Sequence, residues 1–166
     1  MCDIIHKLFY ERTEDASVLS VFFCGIDEMD SFIHNSLQNR LKRNDGLYLY
    51  IVREGANIVA LIALKESSIE IRLDKERMFS VVSLEIEYLA VERAQQRKHI
   101  GKQILAWVEN EIVPTYANSK YITVRAFQDR DIDYSAVPFY ESCGFRVIQK
   151  PHPVANNVKM AKKIEK

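Results

Sequence analysis

The spacing of apolar residues changes period along the chain, and each change marks an element. Residues 3–10 form a short apolar-rich run that predicts a first strand. Ile26, Met29, Phe32, Ile33, Leu37 and Leu41 then recur at helical spacing, and Arg43-Asn44-Asp45-Gly46 closes that helix with turn chemistry. Leu47 to Val52 predicts a strand, Arg53 to Asn57 a hairpin-length turn containing Gly55, and Ile58 to Leu64 the returning strand. From Lys65 to Met78 the chain is charged and its period is ambiguous, with at most a short strand around Ile69 to Leu73. Val81 to Val91 predicts a long central strand.

Ile100, Ile104, Leu105, Val108 and Ile112 form one helical stripe, which Pro114 ends. Tyr121 to Val124 predicts another strand, Ser135 to Ser142 a short helix, and Phe145 to Ile148 and Val158 to Ala161 two closing strands. This order of strands and helices predicts an α/β sheet with helices on its faces. Strands joined by short turns should be antiparallel, and those joined through helices parallel.

Composition narrows the picture. The 166 residues suit one domain, with no linker or repeat to divide 1–166. Lysine plus arginine and aspartate plus glutamate both number 23, so the basic excess typical of a nucleic-acid binder is missing. Arg40, Lys42 and Arg43 make a small basic patch that reads as a solvated helix end. Cys2, Cys24 and Cys143 are odd in number and widely spaced, and the four histidines follow no ligand pattern. The expectation is therefore reduced thiols, no metal and a cytoplasmic location. The opening MCDIIHKLFY has neither a basic region nor a long apolar run after it, so no signal peptide is expected.

The chemistry concentrates between Leu84 and Leu105. An apolar strand ends at Leu89-Ala90-Val91, a polar loop follows, and a glycine stands at the mouth of an amphipathic helix. Unpaired amides at a helix start, with the helix dipole, make an anion site. Arg97, Lys98 and Lys102 add positive charge. A ligand carrying a diphosphate fits such a place.

Gln96-Arg97-Lys98-His99-Ile100-Gly101 resembles the acyl-CoA signature of the Gcn5-related N-acetyltransferase (GNAT) superfamily, Gln/Arg-x-x-Gly-x-Gly/Ala after a Leu-Ala-Val strand end. His99 stands where the signature has its first glycine. A second block, Ala136-Val137-Pro138-Phe139-Tyr140-Glu141-Ser142-Cys143-Gly144-Phe145, resembles the superfamily's A-x-x-F-Y-x-x-x-G-F. The resemblance implies a single acyl-CoA N-acyltransferase domain, with a mixed, mostly antiparallel sheet splayed at its centre and helices on both faces. It implies acetyl-CoA as cosubstrate. Backbone groups of Leu89 and Val91 would bind the pantetheine arm, and the amides of Gln96, Arg97, Lys98, His99, Ile100, Gly101 and Lys102 the diphosphate. It makes Tyr140 the acid that protonates the leaving thiolate, and it places Glu85 where several members carry a general base. Glu87, two residues on, or a water chain are the alternatives. Read from the residues alone, the alternative for Tyr140 is a packed core tyrosine with a satisfied hydroxyl, and for the two acids exposed strand residues paired with cations.

Other residues carry less. Cys143 reads as a buried small thiol, lacking a nearby base. Asp133 lies near an asparagine position of the superfamily whose donor it cannot mimic. The acceptor expected from the neutral charge balance is a primary amine on a small molecule or peptide. Phe23-Cys24-Gly25-Ile26-Asp27-Glu28-Met29-Asp30-Ser31-Phe32-Ile33 resembles the opening of a subgroup that includes toxins acetylating aminoacyl-tRNA, which keeps that acceptor as the alternative. A non-catalytic acyl-CoA-binding module is a third reading. No membrane partner is expected, and dimers are common in the superfamily, so a homodimer is compatible with the resemblance.

Overall fold

A computed structural model describes residues 5–43, 45–116, 118–149 and 156–165. Eight strands are present among them: β1 Phe9–Thr13, β2 Leu47–Glu54, β3 Asn57–Arg72, β4 Met78–Val91, β5 Tyr121–Asp129, β6 Tyr134–Ser135, β7 Arg146–Val147 and β8 Asn157–Lys163. The helices are α1 Asp27–Ser31, α2 Gln38–Arg43, α3 Ile100–Trp107 and α4 Val137–Ser142. A π-helical stretch, Phe32–Leu37, joins α1 to α2, and a second, Val108–Ile112, extends α3. Strand order is β1-β2-β3-β4-β5-β8-β7, with β6 pairing β5. β1 with β2, and β5 with β6 and β8, are antiparallel. β4 with β5, joined through α3, is parallel. This is the mixed, mostly antiparallel α/β sheet of the acyl-CoA N-acyltransferase fold.

The chain divides into two compact units, one holding the residues up to Leu64 with Tyr88–Gln103, the other Lys65–Glu87 with the residues from Ile104 onward. The first has a core in which Leu47, Leu49 and Ile51 of β2 alternate inward with Leu61 and Ala63 of β3 and Ala90 of β4. Ile33 and Leu37 of the helical stretch and Leu19 and Phe22 before it complete this core. Phe32 stacks on Tyr88 with ring centroids 3.9 Å apart and planes 7° from parallel, a contact worth about 0.5–1.5 kcal/mol beyond its burial.

In the second unit β5 runs between two neighbours. Its ladder with β8 extends from Tyr121↔Lys163 to Phe127↔Asn157. Its ladder with β4 stops at Ile86↔Val124, although β4 continues to Val91 and β5 to Asp129. The β5 edge is taken up again by β6, through Gln128↔Ser135 and Asp129↔Tyr134.

Several boundaries differ from the sequence expectations. The first strand spans Phe9–Thr13 rather than 3–10; residues 3 and 4, like Cys2, Asn44 and His152, lie outside the described residues. The ambiguous stretch from Lys65 is strand as far as Arg72, and the return strand starts at Met78. Beyond Leu64 only Ile69 of β3 is buried, so a backbone ladder can hold the hairpin where little apolar alternation marks it. β6, two residues long, had no sequence signal.

Candidate active site

The loop after β4 is fixed by polar ties from both ends. The Glu92 N–H donates to Val59 O (2.8 Å), and the Glu92 carboxylate caps the short helical turn that follows by accepting from the Ala94 N–H (3.0 Å). The Arg93 N–H donates to Phe23 O (3.1 Å). The Gln96 side-chain amide donates to Cys24 O (2.7 Å) and Val91 O (3.0 Å). These contacts join the loop to the Phe23-Cys24-Gly25 segment, which Asp30 holds in turn. The Asp30 carboxylate is buried and accepts from the Cys24 N–H (2.8 Å) and the Gly25 N–H (3.1 Å). Gly25 has φ +89°, and a Cβ there would lie 2.9 Å from Arg93 Cδ, so the turn requires glycine.

Beyond Gln96 the backbone enters the left-handed region twice, at Arg97 (φ 63°) and His99 (φ 61°). A non-glycine residue there costs about 1–3 kcal/mol, and such a turn gathers successive N–H groups into an anion-binding concavity. The Gln96 N–H is engaged with Arg93 O (3.5 Å), so it is not among the free donors that the sequence suggested. The first internal bond at the α3 end runs from the Gln103 N–H to His99 O (3.2 Å). The N–H groups of His99, Ile100, Gly101 and Lys102 meet no acceptor among the described residues. Arg97 and Lys102 form no ion pair there either, while Lys98 reaches Gln95 Oε1 (3.2 Å). Four amides without an acceptor at a helix start, beside two cations without an ion pair among the described residues, have the chemistry of an anion site.

In the second unit, α4 is set by the Ala136 N–H donating to Phe127 O (2.8 Å) and the Val137 N–H to Ser135 Oγ (3.2 Å), with Pro138 in its first turn. Its end is tied by the Cys143 and Phe145 N–H groups, both donating to Tyr140 O (3.0 Å each), with Gly144 at φ +90°. The Tyr140 ring is 5% exposed and meets Phe139 and Phe145 edge-to-face at 5.0 and 5.5 Å. Its hydroxyl has no hydrogen-bond partner among the described residues. Burial first, and then Tyr134 and Cys143 nearby, push its pKa well above the ordinary phenol value. The phenol therefore stays protonated at neutral pH.

Glu85 is buried on β4 opposite Thr123, and its Oε1 lies 3.6 Å from Arg125 Nε. It is thus paired with a cation, but not exposed. The hydroxyls of Thr123 and of Ser83, two residues before Glu85, are buried without a partner among the described residues. Glu87 is half-buried on the same strand. Leu89 lies near the end of β4, and Val91 O is one of the two acceptors of Gln96. Cys143 is half-buried, 3.8 Å from Ser142 Oγ, rather than fully enclosed.

A strand leading into a helix start with open amides, on a mixed sheet, is the arrangement of an acyl-CoA-type transferase fold. A model of the acetyltransferase (GNAT) domain matches residues 15–163, and the chain belongs to that family and is an N-acetyltransferase. No curated protein matches the chain. Among solved structures, a tyrosine-to-phenylalanine mutant of the AtaT toxin superposes with TM-score 0.71 at 21% identity, over 95% of this chain and 89% of that one. AtaTR bound with acetyl-CoA gives 0.69 at 23% identity, over 92% of each chain. AtaT complexed with acetyl-methionyl-tRNAfMet gives 0.67 at 21% identity, over 92% of this chain and 94% of that one. These likenesses are of fold.

Proposed function

We propose that this single-domain N-acetyltransferase moves an acetyl group from acetyl-CoA directly to the α-amino group of its acceptor. The observation that carries the reading is the Tyr140 phenol, whose ring is locked by packing and whose hydroxyl is left without a protein partner. In the reaction the amine nitrogen attacks the thioester carbonyl, the carbon–sulfur bond breaks, and the departing thiolate takes the proton of the Tyr140 hydroxyl. The amine releases its own proton, which Glu85 receives directly or through water. The diphosphate of acetyl-CoA rests on the amides of His99 to Lys102, with Arg97, Lys98 and Lys102 around it, and β4 near Leu89 and Val91 lies along the pantetheine arm.

The α-amine is preferred to a lysine amine for its own acidity. The Glu85 carboxylate is already engaged with Arg125. An α-amine, with a pKa of about 7.7–8.0 against about 10.4 for lysine, needs less help to lose its proton. The same pairing favours a second, narrower reading, in which the α-amine belongs to aminoacyl-tRNA. With the Glu85 charge buried and matched, its repulsion of a polyanionic acceptor falls. The Phe23 to Asp30 segment, through Cys24 O, also belongs to the framework of the loop. One of the similar structures is a complex with an acetylated aminoacyl-tRNA. The test is thiol release from acetyl-CoA with a panel of free amino acids, peptides, polyamines and charged tRNA. Turnover only with lysine-type amines would overturn the α-amine assignment, and turnover with peptides but not charged tRNA would remove the narrower one.

A further inference from the structure

His6 plays no part in the reading above, yet it is wired to the diphosphate loop. Its Nδ1 lies 2.6 Å from Glu54 Oε2 and its Nε2 2.9 Å from Lys98 O. Its backbone N–H donates to Gln103 Oε1 (3.2 Å), and Gln103 Nε2 donates back to His6 O. One residue therefore grips both the loop, at Lys98, and the helix that follows it, at Gln103. The imidazole is almost enclosed, at 12% exposure.

The two ring partners are a carboxylate and a carbonyl, and both only accept. A neutral imidazole carries a single N–H and serves one of them, leaving a lone pair turned toward the other acceptor. The imidazolium serves both. We infer that His6 is a positioning residue for acetyl-CoA: as the imidazolium it straps the Lys98 carbonyl to Glu54 of β2 and holds the neighbouring loop amides in their anion-binding arrangement. The inference rests on the acetyl-CoA reading. The other charged groups of these elements do not duplicate the strap. Arg53 of β2 pairs with Glu11 (3.5 Å), Lys7 lies over the Phe9 ring (5.7 Å) and Lys98 Nζ reaches Gln95. His99 contributes its backbone amide to the cradle itself, and Lys102 adds a cation to the loop that the strap holds.

The sign follows. When pH rises and the ring gives up a proton, one strap bond is lost and the loop loosens, so affinity for acetyl-CoA falls. Acetyl-CoA titrates as well, so the readout is the difference between wild type and His6→Gln, measured by calorimetry across about pH 5 to 8, where imidazoles change charge. The expected result is that His6→Gln binds acetyl-CoA about fivefold more weakly than wild type at the acid end, the equivalent of one net hydrogen bond. The gap should close toward the alkaline end. Glu54→Gln should weaken binding in the same direction. A long-range proton–nitrogen spectrum of the ligand-free wild type reads the strap without acetyl-CoA, and should find both His6 ring nitrogens protonated at the acid end.

A single neutral tautomer of His6 throughout that range would overturn the strap. Parallel affinity profiles for wild type and His6→Gln would overturn its positioning role. Failure of wild type to bind acetyl-CoA at any pH would instead overturn the functional reading, with the ring spectrum still deciding the strap.

Discussion

The loop at residues 96–102 and the helix carrying Tyr140 solve opposite problems. In the loop, side chains hold the scaffold and backbone is left free. Gln96 is bonded to Cys24 O and Val91 O, and the amides of His99 to Lys102 remain open among the described residues. At Tyr140 the backbone and ring hold the scaffold, and one side-chain hydroxyl is left free. Its carbonyl accepts twice, its ring is flanked by Phe139 and Phe145, and its phenol has no partner among the described residues. The first pattern suits recognition of charge, which needs several fixed donors. The second suits one proton transfer, which needs a single group with nothing competing for it.

If the comparison is right, substitutions in the two regions fail differently. The largest effect is expected for Tyr140→Phe, which should lower kcat by about 10²–10⁴-fold while acetyl-CoA still raises the melting temperature. Equal turnover in both proteins would remove the phenol from the reaction.

Next comes Asp30→Ala. It leaves the Cys24 and Gly25 amides without their acceptor, at about 1–3 kcal/mol for the buried Cys24 donor and less for the part-buried Gly25 one. Chemical denaturation should register a loss of about 2–4 kcal/mol. A loss near zero would mean that the carboxylate does not hold that turn.

Gln96→Ala removes two hydrogen bonds of about 1 kcal/mol each. It should weaken acetyl-CoA binding more than it changes kcat, since the loop loses its tie to Cys24 and Val91; the reverse pattern would place Gln96 in the chemistry. The smallest effect, and the only gain, is expected at His99. Its φ of 61° suits glycine better, so His99→Gly should raise stability by up to about 1 kcal/mol and leave acetyl-CoA affinity within a factor of about three. A large loss of affinity would show that the imidazole itself contacts the ligand.

The sequence was legible where the pattern is local. Gln96 to Gly101 and Ala136 to Phe145 mark the family in consecutive residues, and the main strands and helices show in apolar period. It was less legible where a contact joins distant parts of the chain. His6 looked like an ordinary strand residue, because its partners lie 48, 92 and 97 positions away. Asp30 read as part of a helix start, yet its carboxylate reaches back to Cys24 and Gly25, and the N-cap residue Ile26 makes no side-chain cap. Lys65 to Met78 was opaque because the backbone ladder that forms the hairpin leaves only Ile69 of that part of β3 buried. His99 could be flagged as a departure from glycine, but not as a residue held in the left-handed region.

The central claim is that the open amides from His99 to Lys102 receive the diphosphate of acetyl-CoA. An amide proton–nitrogen titration of the labelled protein with acetyl-CoA addresses it directly. The account predicts that these four signals shift more than any others in the residues up to Leu64 and from Tyr88 to Gln103, and that the shifts saturate together. Signals left in place at saturating acetyl-CoA would contradict it.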